Sequence, residues 1–166
     1  MNICDKAEEI VLDGPEATRA LGAALAGALA AGDVVALIGE LGAGKTELVR
    51  SVAAALGADE RDVASPTFVY LNIYPGRTTL YHFDAYRLGS AQELVELGAR
   101  EFFNAGGISF VEWADRVRGA LPERHLEITL RHGGEATRRI ASLRGASGWS
   151  RSLDLHFPRN SRGFRP

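Results

Sequence analysis

Gly39-Glu40-Leu41-Gly42-Ala43-Gly44-Lys45-Thr46 fits the phosphate-binding pattern G-x-x-x-x-G-K-[ST] at every fixed position. Glycines at 39, 42 and 44 let the backbone fold into a concave nest whose N–H groups face phosphate oxygens, and a helix starting there adds its positive end. In that arrangement Lys45 neutralises the β- and γ-phosphates and Thr46 offers a hydroxyl to a metal ion. The flanks agree with this reading. Val34-Val35-Ala36-Leu37-Ile38 is an unbroken, mostly β-branched run of the kind buried in a parallel strand. Leu48, Val49, Val52, Ala53 and Leu56 then recur at helical spacing, and Gly57 supplies a stop. A glycine-rich turn with a solvated lysine is the plain alternative, and the strand-loop-helix order argues against it. So does composition: Lys6 and Lys45 are the only lysines, and the other seventeen of the nineteen basic residues are arginines. A compact ammonium has been kept where a phosphate needs one.

The chain has 166 residues, enough for one well-formed core and short for two. Its formal net charge of −2 argues against a main task of coating nucleic acid or anionic membrane, while leaving room for a small RNA-facing patch. Cys4 is the single cysteine, so an intrachain disulfide or cysteine-cluster zinc site is excluded and a reducing compartment is compatible. The stretch from Ala20 to Ala31 is mostly Ala and Gly and falls short of the roughly 18 to 20 apolar residues of a membrane span. The start carries Asp5, Glu8, Glu9 and Asp13 rather than the regions of a secretory signal, which gives a cytoplasmic expectation without membrane attachment.

Elsewhere, Ile10-Val11-Leu12 reads as the end of a first strand, and Gly14-Pro15 turns into a helix from about Glu16 to Ala31 that packs through small residues. Phe68-Val69-Tyr70-Leu71 and Thr79-Leu80-Tyr81-His82-Phe83 predict a hairpin turned by Pro75-Gly76. Ser90-Ala91-Gln92-Glu93 is a capping box heading a helix with Leu94, Leu97 and Phe102, which ends near Asn104. Ile108-Ser109-Phe110-Val111 is a further core strand, and a short helical piece from Asp115 to Leu121 stops at Pro122. Leu126, Ile128 and Leu130, the turn Gly133-Gly134 and the return from Arg139 to Leu143 predict a last hairpin. The fold class expected is α/β, a P-loop NTPase-like three-layer sandwich whose mixed sheet carries β-hairpin additions. Residues 1–145 form the predicted ATPase domain, and 146–166 a flexible Arg, Ser and Gly-rich tail.

Asp84 and Glu112 each close a hydrophobic strand run. Ligands of open α/β sheets collect at the carboxyl ends of strands, the edge on which the loop after Ile38 must also lie. Magnesium takes hard oxygen ligands, commonly one or two from protein with phosphates and waters completing the shell. Thr46, Glu112 and Asp84 are the candidates to supply or orient them, against the alternative of two solvated strand ends. Ser65-Pro66-Thr67 fits a γ-phosphate sensor or an ordinary loop. His82, with no second histidine at ligand spacing, reads as structural, and Trp113 as either a cover for the site or core filling.

Taken together, G-E-L-G-A-G-K-T at 39–46, S-P-T-F at 65–68, Y-H-F-D-A-Y-R-L at 81–88 and V-E-W at 111–113 closely resemble the bacterial TsaE family. These proteins are the ATPase subunits of the tRNA threonylcarbamoyladenosine machinery. The resemblance spans roughly residues 8–143, and four motifs in order are far more specific than the phosphate loop alone. It implies an ATP-binding, slowly hydrolysing protein that works with the transferase TsaD and its paralogue TsaB on adenosine 37 of tRNAs, meeting tRNA through that complex. It further implies that Thr46 and Glu112 bind Mg²⁺, that Asp84 and Trp113 matter for activity, and that Thr67 lies in a switch-like segment near the phosphates. On this reading Asp84 and Glu112 are the catalytic candidates. Gly39, Glu40, Leu41, Gly42, Ala43, Gly44, Lys45, Thr46, Thr67 and Trp113 contact ATP. Glu47 departs from the family's usual second threonine, and the arginine tail after Arg144 matches no family motif.

Two other functions share the loop. A small-molecule kinase would use lid arginines such as Arg116, Arg118 and Arg124, but no acceptor signature accompanies them. A nucleotide-gated adaptor without hydrolysis is opposed by the intact Asp84 and Glu112. A GTPase would need an N/T-K-x-D signature, and Lys6 in Asp5-Lys6-Ala7-Glu8 does not provide one.

Overall fold

The computed structural model describes residues 3, 6–150, 152, 153 and 155. In chain order the elements are β1 (Glu8–Asp13), α1 (Pro15–Ala28), β2 (Val34–Ile38), α2 (Lys45–Ala55), β3 (Leu71–Tyr74), β4 (Leu80–Asp84), α3 (Ala91–Glu96), α4 (Ala99–Phe103), β5 (Ile108–Glu112), β6 (Leu126–His132) and β7 (Arg138–Gly145). Short 3-10 segments cover Glu60–Asp62 and Ala114–Ala120. The described strands form one sheet of seven in the order β1-β7-β6-β2-β5-β4-β3. Its centre, β6-β2-β5-β4, is parallel. β3 joins one side, and β7 followed by β1 the other, through antiparallel pairings. This is the expected mixed α/β sheet with hairpin additions.

Burial explains the strand sequences. β5 is buried at every position and β2 at all but its last, which is why both read as continuous apolar runs. Successive residues feed opposite faces. Val35, Leu37 and Phe110 join α1 and α2 on one side, whereas Val34, Ala36 and Val111 join Leu94, Ala99, Phe103 and Val117 on the other. β6 alternates instead, burying Leu126, Ile128 and Leu130. The small-residue face of α1 lets it approach α2 closely: a Cβ on Gly22 would stand 2.4 Å from the Ser51 Cβ.

Four expectations need correction. α1 ends at Ala28 rather than Ala31, because Leu29 turns extended at φ −75° and ψ 149°. Beyond it the Ala30 N–H donates to Asp33 Oδ2 at 2.7 Å. Phe68, Val69 and Tyr70 are not strand: the N–H groups of Val69 and Tyr70 both donate to the Pro66 carbonyl, and pairing begins at Leu71. The helix after Ser90 is two helices, interrupted at Gly98 with φ 79°. The capping box at its head does form, with the Glu93 N–H donating to Ser90 Oγ at 3.4 Å.

The fourth correction concerns the domain boundary at residue 145. Trp149 is 3% exposed and Leu153 fully buried, both within the cluster beneath α1 and α2. The Ala146 N–H donates to the His125 carbonyl at 2.9 Å, continuing the packed chain past Gly145. Two apolar residues four positions apart make no periodic pattern, but one tryptophan buries a large area. Residues 151, 154 and 156–166 of the expected tail, with Arg151, Arg159, Arg162 and Arg165, lie outside the described residues, as does Cys4. Among the described residues no helix is long and apolar enough to cross a membrane.

Candidate functional site

The loop leaves β2 at the carboxyl edge of the parallel strands and enters α2 at Lys45. Gly39 has φ 151°, and a Cβ there would meet the Leu130 carbonyl oxygen at 2.4 Å, so a side chain is excluded by the neighbouring β6 backbone. Gly44, at φ 102°, is the helix N-cap and offers no side-chain cap, which leaves the first-turn N–H groups of α2 to find other partners. Lys45 is 5% exposed. Its Nζ donates to the Gly39 carbonyl at 2.6 Å and the Glu40 carbonyl at 2.9 Å. The same ammonium lies 3.8 Å from the Trp113 ring centroid. Burial pushes the Lys45 pKa below its ordinary value, while the negative charges of Glu112, Asp84 and Asp115 act in the opposite direction.

Both strand-end acids stand beside this lysine. β4 and β5 run parallel with Asp84 and Glu112 as direct partners. Glu112 Oε1 accepts from Thr46 Oγ1 at 2.7 Å and from His82 Nε2 at 2.8 Å. Asp84 Oδ2 accepts from Ser65 Oγ at 2.8 Å and Thr67 Oγ1 at 2.6 Å, and its Oδ1 accepts from the Tyr86 N–H at 2.7 Å. Both acids are nearly inaccessible, Asp84 at 2% and Glu112 at 3%. Buried carboxylates held by this many donors stay where the fold puts them.

Between these groups lies a groove of about 440 Å³, reached by Leu41, Gly44, Lys45, Thr46, Thr67, Asp84, Glu112 and Trp113. Most of the expected site residues therefore converge. Three of the expected loop residues do not line it: Gly39 and Glu40 hold Lys45 through their carbonyls, and Ala43 is buried in the core. Leu41, by contrast, is 81% exposed at the rim. No group of three His, Cys, Asp or Glu side chains among the described residues is set to hold a metal by itself. The Thr46 hydroxyl against the Glu112 carboxylate is a pair of hard oxygens, which suits Mg²⁺ sharing its shell with phosphate and water.

Glu47 forms an ion pair with Arg50 at 2.5 Å, and Arg50 is itself tied to the Val63 carbonyl. Arg116, Arg118 and Arg124 do not line the groove; they bond to Leu88, Glu127 and Asp33 respectively. Two neighbours of the site escaped sequence reasoning. Tyr86 packs its ring 5.0 Å from that of Trp113, and Arg139 Nη2 donates to the Gly42 carbonyl at 3.2 Å. The Y-H-F-D-A-Y-R-L motif contained Tyr86 as a signal, whereas nothing local marks Arg139.

Comparison with known proteins follows the same lines. The model of the family described as threonylcarbamoyl adenosine biosynthesis protein TsaE matches residues 12–140. A tRNA threonylcarbamoyladenosine biosynthesis protein TsaE of Treponema pallidum is 44% identical over 109 residues, covering 66% of this chain and 80% of that one. The Bacillus subtilis protein of the same name is 39% identical over 127 residues, covering 76% and 78%. The crystal structure of Bacillus subtilis YdiB superposes with a TM-score of 0.71 at 32% identity, covering 86% of this chain and 87% of that one.

Proposed function

The chain belongs to the TsaE family of threonylcarbamoyl adenosine biosynthesis proteins, and from that premise we propose that it binds and hydrolyses ATP with Mg²⁺ to support formation of threonylcarbamoyladenosine in tRNA. The observation that carries this reading is the convergence of Lys45, Thr46, Asp84 and Glu112 on one groove at the sheet's carboxyl edge. Lys45 leaves its loop carbonyls to meet the β- and γ-phosphates. The uncapped N–H groups at the start of α2 receive phosphate oxygens. Thr46 and Glu112 are the residues that would hold Mg²⁺, which when bound neutralises charge developing on the phosphates. Asp84 orients the hydroxyls of Ser65 and Thr67, placing a polar, hydrogen-bonded segment at the groove.

The transfer chemistry belongs to partners in this account, TsaD with TsaB, and tRNA is met through them. Phosphate release measured with and without those proteins tests the assignment. Slow release alone and faster release with partners is expected, with Glu112→Gln and Asp84→Asn each lowering turnover about 100-fold. Transfer of the phosphoryl group to a small-molecule acceptor would replace this reading with a kinase, and unchanged turnover in both variants would make the acids bystanders.

A further inference from the structure

His82 is fully buried and reaches the site from below. Side chains alternate along β4, so Leu80, His82 and Asp84 share one face, while Phe110 and Glu112 share the corresponding face of β5. The parallel register pairs His82 with Phe110, so the imidazole lies one step back from Glu112 along the strands. From there His82 Nε2 meets Glu112 Oε1 at 2.8 Å, the same oxygen that Thr46 Oγ1 meets from α2. An ionised carboxylate only accepts, so the proton of that contact belongs to Nε2.

The other ring nitrogen has no such use. His82 Nδ1 is buried without a hydrogen-bond partner among the described residues. An aromatic hydrocarbon would fill the space beside the Tyr74 ring, 6.0 Å away between centroids, without stranding a polar atom. The contact with Glu112 is thus the one hydrogen bond that the His82 ring makes among the described residues. We propose that His82 is a positioning residue that would hold the Glu112 carboxylate in place for Mg²⁺ when the Thr46 hydroxyl is drawn into the metal site. The two donors on Oε1 are not equivalent: Thr46 is a ligand candidate and must be free to reorient, whereas His82 sits on a rigid central strand. This inference rests on Glu112 facing Mg²⁺, as proposed above.

The test is the metal dependence of ATP binding, measured calorimetrically with ATP in EDTA and with ATP plus Mg²⁺ or Mn²⁺. Glu112→Gln is the reference that checks the underlying reading, and it should lose the metal-dependent gain. His82→Phe should reduce that gain about 10-fold or more, leave ATP affinity in EDTA within about twofold, and be rescued by His82→Gln, which restores an N–H at the ε position. A His82→Phe protein that keeps the full gain when Glu112→Gln has lost it would overturn the proposal; an undiminished gain in Glu112→Gln would overturn the metal reading itself. Should His82→Phe not fold, ¹⁵N-histidine NMR of the wild-type protein decides. An Nε2–H tautomer whose signal shifts when Mg²⁺ joins ATP supports the proposal, and an Nδ1–H tautomer or a signal indifferent to the metal refutes it.

Discussion

The Lys45 ammonium rests 3.8 Å from the centre of the Trp113 ring while donating to two carbonyls of its own loop. The cation that phosphates require is thus already desolvated and held by contacts it can exchange for a ligand. Charge-assisted contacts of this kind are worth about 1.5–3 kcal/mol each. Lys45→Ala should therefore weaken MgATP binding by roughly 100-fold, as read by calorimetry. Binding should also alter the environment of Trp113. Tryptophan emission is expected to change saturably with MgATP and to lose that response in Trp113→Phe, because Trp149 is packed in the core. A response that persists in Trp113→Phe would come from Trp149 and would contradict Trp113 as the reporter of the ligand.

The buried charge leaves a signature in the pH dependence of stability. Burial lowers the Lys45 pKa from its ordinary 10.5, so between the folded and unfolded pKa values the unfolded chain binds the extra proton. Stability contributed by this group is therefore lowest at neutral pH and rises as pH climbs through the lowered value toward 10.5. Comparing denaturant unfolding of the wild-type protein and Lys45→Met isolates the effect. The wild type should gain on the variant as pH rises through the alkaline range, and a difference that stays flat would mean the amine is not desolvated.

Glu47 lines the groove but its charge is answered by Arg50. A half-exposed i,i+3 pair contributes about 0.3–0.5 kcal/mol, so Glu47→Thr should barely move the melting temperature. It removes a negative charge from the groove's lining and leaves Arg50 without its carboxylate partner. ATP affinity should stay equal or tighten by up to about threefold, and a loss of binding in calorimetry would show that the acid itself serves the ligand.

Trp149 closes the floor of the α1 and α2 cluster together with Leu153. Truncating a buried tryptophan to alanine costs about 3–5 kcal/mol. Trp149→Ala, and removal of everything after Gly145, should each lower the unfolding midpoint by several degrees. A midpoint within a degree of wild type would mean this segment is not docked in solution.

These outcomes also mark how far the sequence was legible. The loop, the buried strands β2 and β5, the last hairpin, the β4 arm of the first and the acids Asp84 and Glu112 are local patterns, and each reads directly from spacing. What escaped depends on long-range approach. His82 meets Glu112 thirty residues away, and Arg139 meets Gly42 across ninety-seven. Phe68 and Val69 have strand-like side chains yet stand 85% and 61% exposed, since Pro66 turns the backbone before the sheet can pair it. Gly98 divides a helix whose apolar spacing runs straight across it, because its left-handed φ ends the first helix regardless of pattern.

Reconstituted tRNA threonylcarbamoylation with the cognate TsaB and TsaD proteins, followed over many turnovers, tests the central claim most directly. Repeated modification should require this protein and ATP together, and Lys45→Ala, which removes the phosphate contact, should fail to sustain it. Full multiple-turnover modification without this protein would contradict the account even if ATP were found in the groove.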